Sequence, residues 1–294
     1  MACACSIWGL MAPLAKHAMT HGIPGLEMVT FRIVGGAACF WIASLFLPKN
    51  HVQPRHLLML FFASLLSIVI NQCSYTIGLS LTSPVNASIM TTTMPIITLI
   101  LAAIVLREPI TGKKVTGVIM GCTGAFVLIM ASQSLKSGFG TDHLGTTLCF
   151  VAQCSFALYL TLFKHLIQRY SIVTCMKWML TFAALVVTPF SATRMVELPW
   201  RSIGPRIWAE TAFIVVFSTF VAYLLMMRGQ KTLRPTVVAM YNYVQPIVAT
   251  LVSVALGLAT FGWWQAAAVV LVFGGVWLVT QSKSRKDLKR EKNG

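Results

Sequence analysis

Residues 84–96 read PVNASIMTTTMPI, and residues 235–247 read PTVVAMYNYVQPI. Each stretch sets two prolines eleven positions apart inside an apolar run, and the second follows the first at an offset of 151 residues. An α-helix turns about 100° and rises about 1.5 Å per residue, so eleven residues make roughly three turns plus 20° and cover ~16 Å. The two prolines of a pair therefore fall on nearly one face, separated by about half of a ~30 Å hydrocarbon core. Pro84, behind Thr82 and Ser83, reads as a first-turn proline beside a cap. Pro95 then lies near mid-span, where it removes a backbone donor and kinks the helix. The carbonyl of Thr91 is expected to lose its helical partner, and Pro246 does the same to the carbonyl of Asn242.

The offset of 151 extends beyond the prolines. Gly78 matches Gly229, Pro95-Ile96 matches Pro246-Ile247, and Gly124 matches Gly275, with no gap required. Earlier in each half, ACSIWGLM (4–11) loosely echoes QCSFALYL (153–160). The chain of 294 residues is 57% hydrophobic and 10% charged, with mean hydropathy +0.78. A soluble domain carries about 25% charged residues, so a water-exposed surface could hardly be covered from this supply. Ten apolar runs are expected to cross a membrane as helices: 2–19, 26–47, 57–79, 84–106, 113–131, 145–164, 172–190, 208–228, 235–257 and 263–281. The fold class is thus all-α and polytopic. Residues 1–131 form a first five-span unit, 145–282 a second, and 283–294 a basic tail.

An odd number of spans per unit requires the second unit to insert upside down, relating the two by a pseudo-two-fold axis in the membrane plane. The charges agree with this. Arg107, Lys113 and Lys114 follow span four, but Leu258, Trp264 and Gln265 stand at or near the matching positions. Conversely, Arg228, Lys231 and Arg234 separate spans eight and nine, while no basic residue separates spans three and four. With both termini in the cytoplasm, seventeen Lys and Arg residues lie inside and five outside. The formal net charge of +16 is accounted for by these loops and the tail, so anionic lipid rather than nucleic acid is the expected polyanion. The first apolar run starts without a basic leader segment and is expected to be retained.

Catalytic patterns are missing from the sequence. All six histidines (His17, His21, His51, His56, His143 and His165) sit at or near expected loops, and no HExxH, GxSxG or phosphate-cradling glycine loop occurs. The eight cysteines include no CxxC pair or zinc spacing and read as small buried apolar side chains. No metal and no cofactor is expected. A membrane-embedded enzyme or a non-transporting scaffold are the rival classes.

Candidate site residues are polar groups inside spans. Two kinked segments meeting at mid-membrane bring Thr93, near Pro95, toward Tyr241, Asn242 and Gln245, near Pro246. Asn71, Tyr75, Gln153, Tyr159 and Tyr223 add aromatic walls and neutral polar contacts. Each could instead make an interhelical hydrogen bond. As a set they suit amino acids or similar modest organic solutes. Trp8 and Gln72 are further such groups. Arg32 lies about 9 Å into span two, where it either contacts an anionic group or gates, or else snorkels or pairs with Glu27. Glu108 ends span four beside Lys113 and Lys114, as a loop ion pair or a gating group. None of the seven acids falls clearly at mid-membrane, which argues against a buried carboxylate relay. Gly117, Gly121 and Gly124 read as an intramolecular packing stripe in a monomer.

The stretch 77–129, IGLSLTSPVNASIMTTTMPIITLILAAIVLREPITGKKVTGVIMGCTGAFVLI, resembles the signature region of the EamA-type branch of the drug/metabolite transporter superfamily. MVTFRIVGG around Arg32 resembles that family's span-two arginine, and YNYVQPIVA (241–249) its span-nine element. The resemblance covers nearly the whole chain. It implies a ten-helix basket of inverted repeats in the inner membrane of a prokaryote that exports or exchanges small metabolites. One departure stands out. Leu258-Ala259 replaces the second copy of Arg107-Glu108, so a symmetric role for two carboxylates is not expected.

Overall fold

The computed structural model describes residues 1–48, 51–82, 84–131, 143–255 and 262–282. The expected tail 283–294 and the Leu258-Ala259 pair lie outside these residues. The described chain is helical, with no strand among the described residues. Its first half runs α1 (Ala2–Thr20), α2 (Gly25–Leu45), α3 (Pro54–Ser64), a π-helical segment Leu65–Ile70, α4 (Asn71–Leu81), α5 (Pro84–Thr92), α6 (Met94–Val105) and α7 (Gly112–Ala131). The second runs α8 (His143–Leu162), α9 (Lys164–Arg169), α10 (Ile172–Glu197), α11 (Pro205–Phe213), a π segment Ile214–Val221, α12 (Ala222–Thr232), α13 (Pro235–Met240), a 3₁₀ turn Tyr241–Tyr243, α14 (Val244–Ala255) and α15 (Trp263–Thr280).

The offset of 151 reappears in these bounds. Residues 222–232 of α12 are those of α4 displaced by 151, and the two π segments coincide to within two residues under the same shift. Both α3 and α11 open on a first-turn proline, Pro54 and Pro205, where the missing N–H costs nothing. A wide π turn admits one more residue per turn and re-aims the side chains that follow. In the first half those are Asn71 and Gln72.

Among the described residues, six helical stretches are long and apolar enough to span a bilayer by themselves: Gly25–Leu45, Pro54–Leu81, His143–Leu162, Ile172–Glu197, Pro205–Thr232 and Trp263–Thr280. Two shorter apolar helical stretches, Ala2–Met11 and Ile89–Val105, stand beside them among the described residues. Helix α10 continues through Pro189 to Glu197, past the expected end at 190.

At the first interruption the backbone tightens. Thr93 donates to Met90 O at 3.1 Å, and Ile96 and Ile97 both donate to Thr93 O at 3.1 Å. Pro95 has no N–H to offer the Thr91 carbonyl, and Ile96, by donating to Thr93 O, withdraws from the carbonyl of Thr92 as well. The Tyr243 hydroxyl donates to Thr92 O at 3.1 Å. In hydrocarbon a released carbonyl needs such a partner. Tyr243 and Thr92 are 151 positions apart, as are Gln72 and Tyr223, whose side chains also meet, the Gln72 Nε2 donating to Tyr223 Oη at 2.7 Å.

The closest helix pairing is α7 against α15. A Cβ on Gly275 would lie 2.5 Å from Gly117 O, and one on Gly124 would lie 2.7 Å from Ala268 O. The glycine stripe thus packs within the chain, letting backbones touch where larger residues could not. On the opposite face of α15, Trp263, Val270 and Trp277 are 91%, 70% and 61% exposed. A stripe that apolar belongs against lipid, the solvent in which it costs nothing. This is an integral membrane protein.

Candidate functional site

A cavity of about 100 Å³ lies between the two halves. From the first half, α1 contributes Trp8 and Met11, α2 contributes Arg32, α4 contributes Asn71, Gln72 and Tyr75, and Thr91 and Met94 flank the broken turn. From the second half come Gln153 and Phe156 of α8, Tyr223 of α12, Asn242 of the 3₁₀ turn and Gln245 of α14. Met11, Met94 and Phe156 carry no polar signal, and an apolar wall residue reads like a lipid-facing one in sequence.

The walls are held by a polar lattice. Trp8 Nε1 donates to Ser218 O at 2.9 Å, and its ring meets Tyr223 edge-on with centroids 5.8 Å apart. Asn71 Nδ2 donates to Ala152 O at 2.8 Å, spanning the halves. Asn242 Nδ2 donates to Met94 Sδ at 2.9 Å, and Gln245 Nε2 donates to Asn242 Oδ1 at 2.8 Å. Gln72 is 3% exposed, and with its amide nitrogen committed to Tyr223, its Oε1 is buried without a hydrogen-bond partner. A buried acceptor left open costs roughly 1–3 kcal/mol unless something completes it.

Arg32 is 6% exposed and lines the same cavity. Its Nε donates to Thr219 Oγ1 at 3.4 Å. Among the described residues it makes no ion pair, and the expected alternative partner Glu27 keeps a buried Oε2 unbonded. The side chain therefore neither snorkels out nor pairs with Glu27. The described lining contains no carboxylate.

Not every expected site residue reaches this cavity. Thr93 sits in the broken turn, its hydroxyl bonded back to Met90 O at 2.7 Å. Pro95 is buried beside it, and Pro246 is half-buried in α14. Tyr241 packs toward the Met240, Tyr243 and Val276 cluster, because a 3₁₀ turn advances about 120° per residue and carries it past the cavity face. Tyr159 donates to Gln230 Oε1 at 3.0 Å and lines a separate, smaller pocket with Lys164 and Leu233. Six residues beyond Gln153, it lies about 9 Å further along α8.

Glu108 stands apart from the cavity lining. Arg107 takes a left-handed conformation, φ 50°, and Glu108 N donates back to Ala102 O at 3.1 Å, closing the end of α6. The carboxylate reaches Lys114 Nζ at 2.8 Å and Lys164 Nζ at 3.7 Å. It bonds these rather than Lys113 among the described residues, and so ties the two halves together.

With this geometry in hand, comparisons with known proteins place the chain. The EamA-like transporter family profile matches residues 1–130 and again residues 143–281. The uncharacterized transporter YyaM of Bacillus subtilis (strain 168) is 26% identical over 202 residues, 67% of this chain and 65% of that protein. An uncharacterized transporter of Archaeoglobus fulgidus is 25% identical over 74% of this chain and 75% of its own length. The matched stretch thus spans just under two thirds of the Bacillus relative. A solved crystal structure superposes with a TM-score of 0.75 over 94% of each chain at 18% identity, a likeness of fold alone.

Proposed function

Because this chain belongs to the EamA-like transporter family, we propose that it moves small organic solutes across the cytoplasmic membrane of a prokaryote by alternating access, in the export direction. In this reading ten helices form two five-span units inserted in opposite senses, with both termini in the cytoplasm. The observation that carries it is the cavity itself, walled by groups from both halves and laced by bonds between residues 151 positions apart. Residues equivalent by a two-fold axis meet each other only beside that axis, so Gln72–Tyr223 and Tyr243–Thr92 support an axis running through the site. Carriers with inverted repeats bind substrate at such a mid-membrane interface.

Asn71, Tyr75, Gln153, Tyr223, Asn242 and Gln245 are the proposed substrate contacts. Arg32 is the proposed anion contact, and Glu108 a link between the halves. Purified protein in liposomes loaded with radiolabelled amino acids and organic acids tests the reading. Vectorial, saturable movement supports it. Chemical turnover of a solute or lipid without net movement would replace it with an enzyme, and neither movement nor turnover would favour a scaffold.

A paired substitution discriminates within the site. Gln245→Ala removes one neutral hydrogen-bonding group, worth about 0.5–1.5 kcal/mol, and is expected to raise the substrate Kd by up to about tenfold. Tyr241→Ala, outside the lining, is expected to leave Kd unchanged at similar membrane insertion. Binding titrations on the purified variants check both.

A further inference from the structure

We propose that the cavity selects organic anions: a carboxylate on a flat apolar body that carries one N–H or O–H donor and no ammonium group. The inference rests on the carrier reading above and narrows it. Three observations meet in one space.

The first is Arg32. A guanidinium offers five N–H donors, and here the described partner is one hydroxyl at 3.4 Å, long for such a bond. A buried arginine with no carboxylate beside it is a charge awaiting compensation. A ligand carboxylate would supply both the opposite charge and the forked geometry that guanidinium prefers.

The second is the lack of acid in the described lining. A ligand ammonium would find no counter-charge there, and it would share a low-dielectric space with the Arg32 cation, where like charges repel more strongly than in water. The cavity therefore distinguishes an acid from the amino acid and the amine built on the same skeleton, by charge rather than by shape.

The third is the wall and a buried open acceptor in it. Trp8, Tyr75, Phe156 and Tyr223 offer flat apolar surface, which suits a planar body. Gln72 Oε1, buried and unbonded, asks for a donor such as a ring hydroxyl. Tyr223 holds the other end of that amide, so the acceptor is fixed in place rather than free to rotate away.

The probes are 4-hydroxyphenylacetate, tyrosine and tyramine, which share a hydroxyphenyl ring and differ in charge. Binding to the full chain in detergent is measured by calorimetry, and transport in proteoliposomes. The acid is expected to bind at least tenfold tighter than either amine-bearing probe. Arg32→Gln should lower acid affinity at least tenfold and, by removing the like charge, strengthen tyramine binding. Gln72→Glu, which places an internal carboxylate in the lining, should likewise erase the preference and serves should Arg32→Gln fail to fold. Equal binding of all three, tighter binding of tyramine or tyrosine, or no acid binding at millimolar concentration would overturn the proposal. Acid binding without transport would leave the anion pocket standing and remove the carrier reading. Transport of tyramine independent of Arg32 would do the reverse.

Discussion

Gly275→Val is expected to yield little or no folded protein. A Cβ at this position would stand 2.5 Å from Gly117 O and 2.7 Å from Gly121 N, both backbone atoms of the facing helix. Neither can swing aside as a flexible side-chain tip would. Overpacking a well-filled interior typically costs 1–3 kcal/mol, and here the only relief is to separate α7 from α15. Within lipid, no hydrophobic force between helices compensates, because close van der Waals packing is what holds them together. The expected cost therefore reaches or passes about 3 kcal/mol. The neighbouring Gly274→Val serves as the control. A Cβ there meets only the terminal methyl of Met120 at 3.2 Å, which can rotate away. Fluorescence-detected size exclusion in mild detergent should show a monodisperse peak for Gly274→Val and none for Gly275→Val. A normal peak for both would mean that α7 and α15 do not pack backbone to backbone.

The second large effect is at Glu108. Lys114 is fully buried with its ammonium 2.8 Å from the Glu108 carboxylate, itself 11% exposed at the side chain. Glu108→Gln keeps an acceptor at the same place but removes the counter-charge, and breaking a buried pair on one side typically costs 3–5 kcal/mol. Lys164, at 3.7 Å, would lose its partner as well. A midpoint drop in thermal unfolding is therefore expected, and Glu108→Gln combined with Lys114→Met should recover part of it. The logic is that an apolar side chain in the vacated space removes the uncompensated charge. A single variant as stable as the parent, or a double variant less stable than the single, would show that the pair does not hold the chain end of α6 in place.

Much of the architecture could be read from residues alone, and the reasons are physical. Apolar runs of membrane length leave few alternatives to helices. A spacing repeated at a constant offset survives where identities do not, since prolines and close-packing glycines answer to backbone constraints. The offset reappears in the bounds of α4 and α12 and in the hydrogen bond from Tyr243 to Thr92. The broken turn was less legible. Proline marks where a donor is missing, at the carbonyl of Thr91, but not how the neighbouring residues rewind, and so the second released carbonyl, that of Thr92, was not foreseen.

The site was legible only in outline. Polar residues inside apolar spans are conspicuous, and Asn71, Gln72, Gln153, Tyr223, Asn242 and Gln245 do converge on one space. Their depth and azimuth are not conspicuous. Tyr159 lies about 1.7 turns too far along α8, and Tyr241 is turned away by a stretch of 3₁₀ winding. Met11, Met94 and Phe156 carry no mark that separates a cavity wall from a lipid-facing stripe. Arg32 could have had any of four fates by sequence. The structure removes two of them by leaving Glu27 unengaged and burying the guanidinium.

The central claim is that two equivalent halves sit in the membrane in opposite senses around one cavity. Its most direct test compares the two loops that correspond at an offset of 151, at Thr111 and at Gly262. A short epitope inserted at each, in otherwise identical protein, is probed in intact and in opened cells. The account predicts that the Thr111 tag is reached only after the membrane is opened and the Gly262 tag from outside. Labelling of both tags from the same side would contradict it.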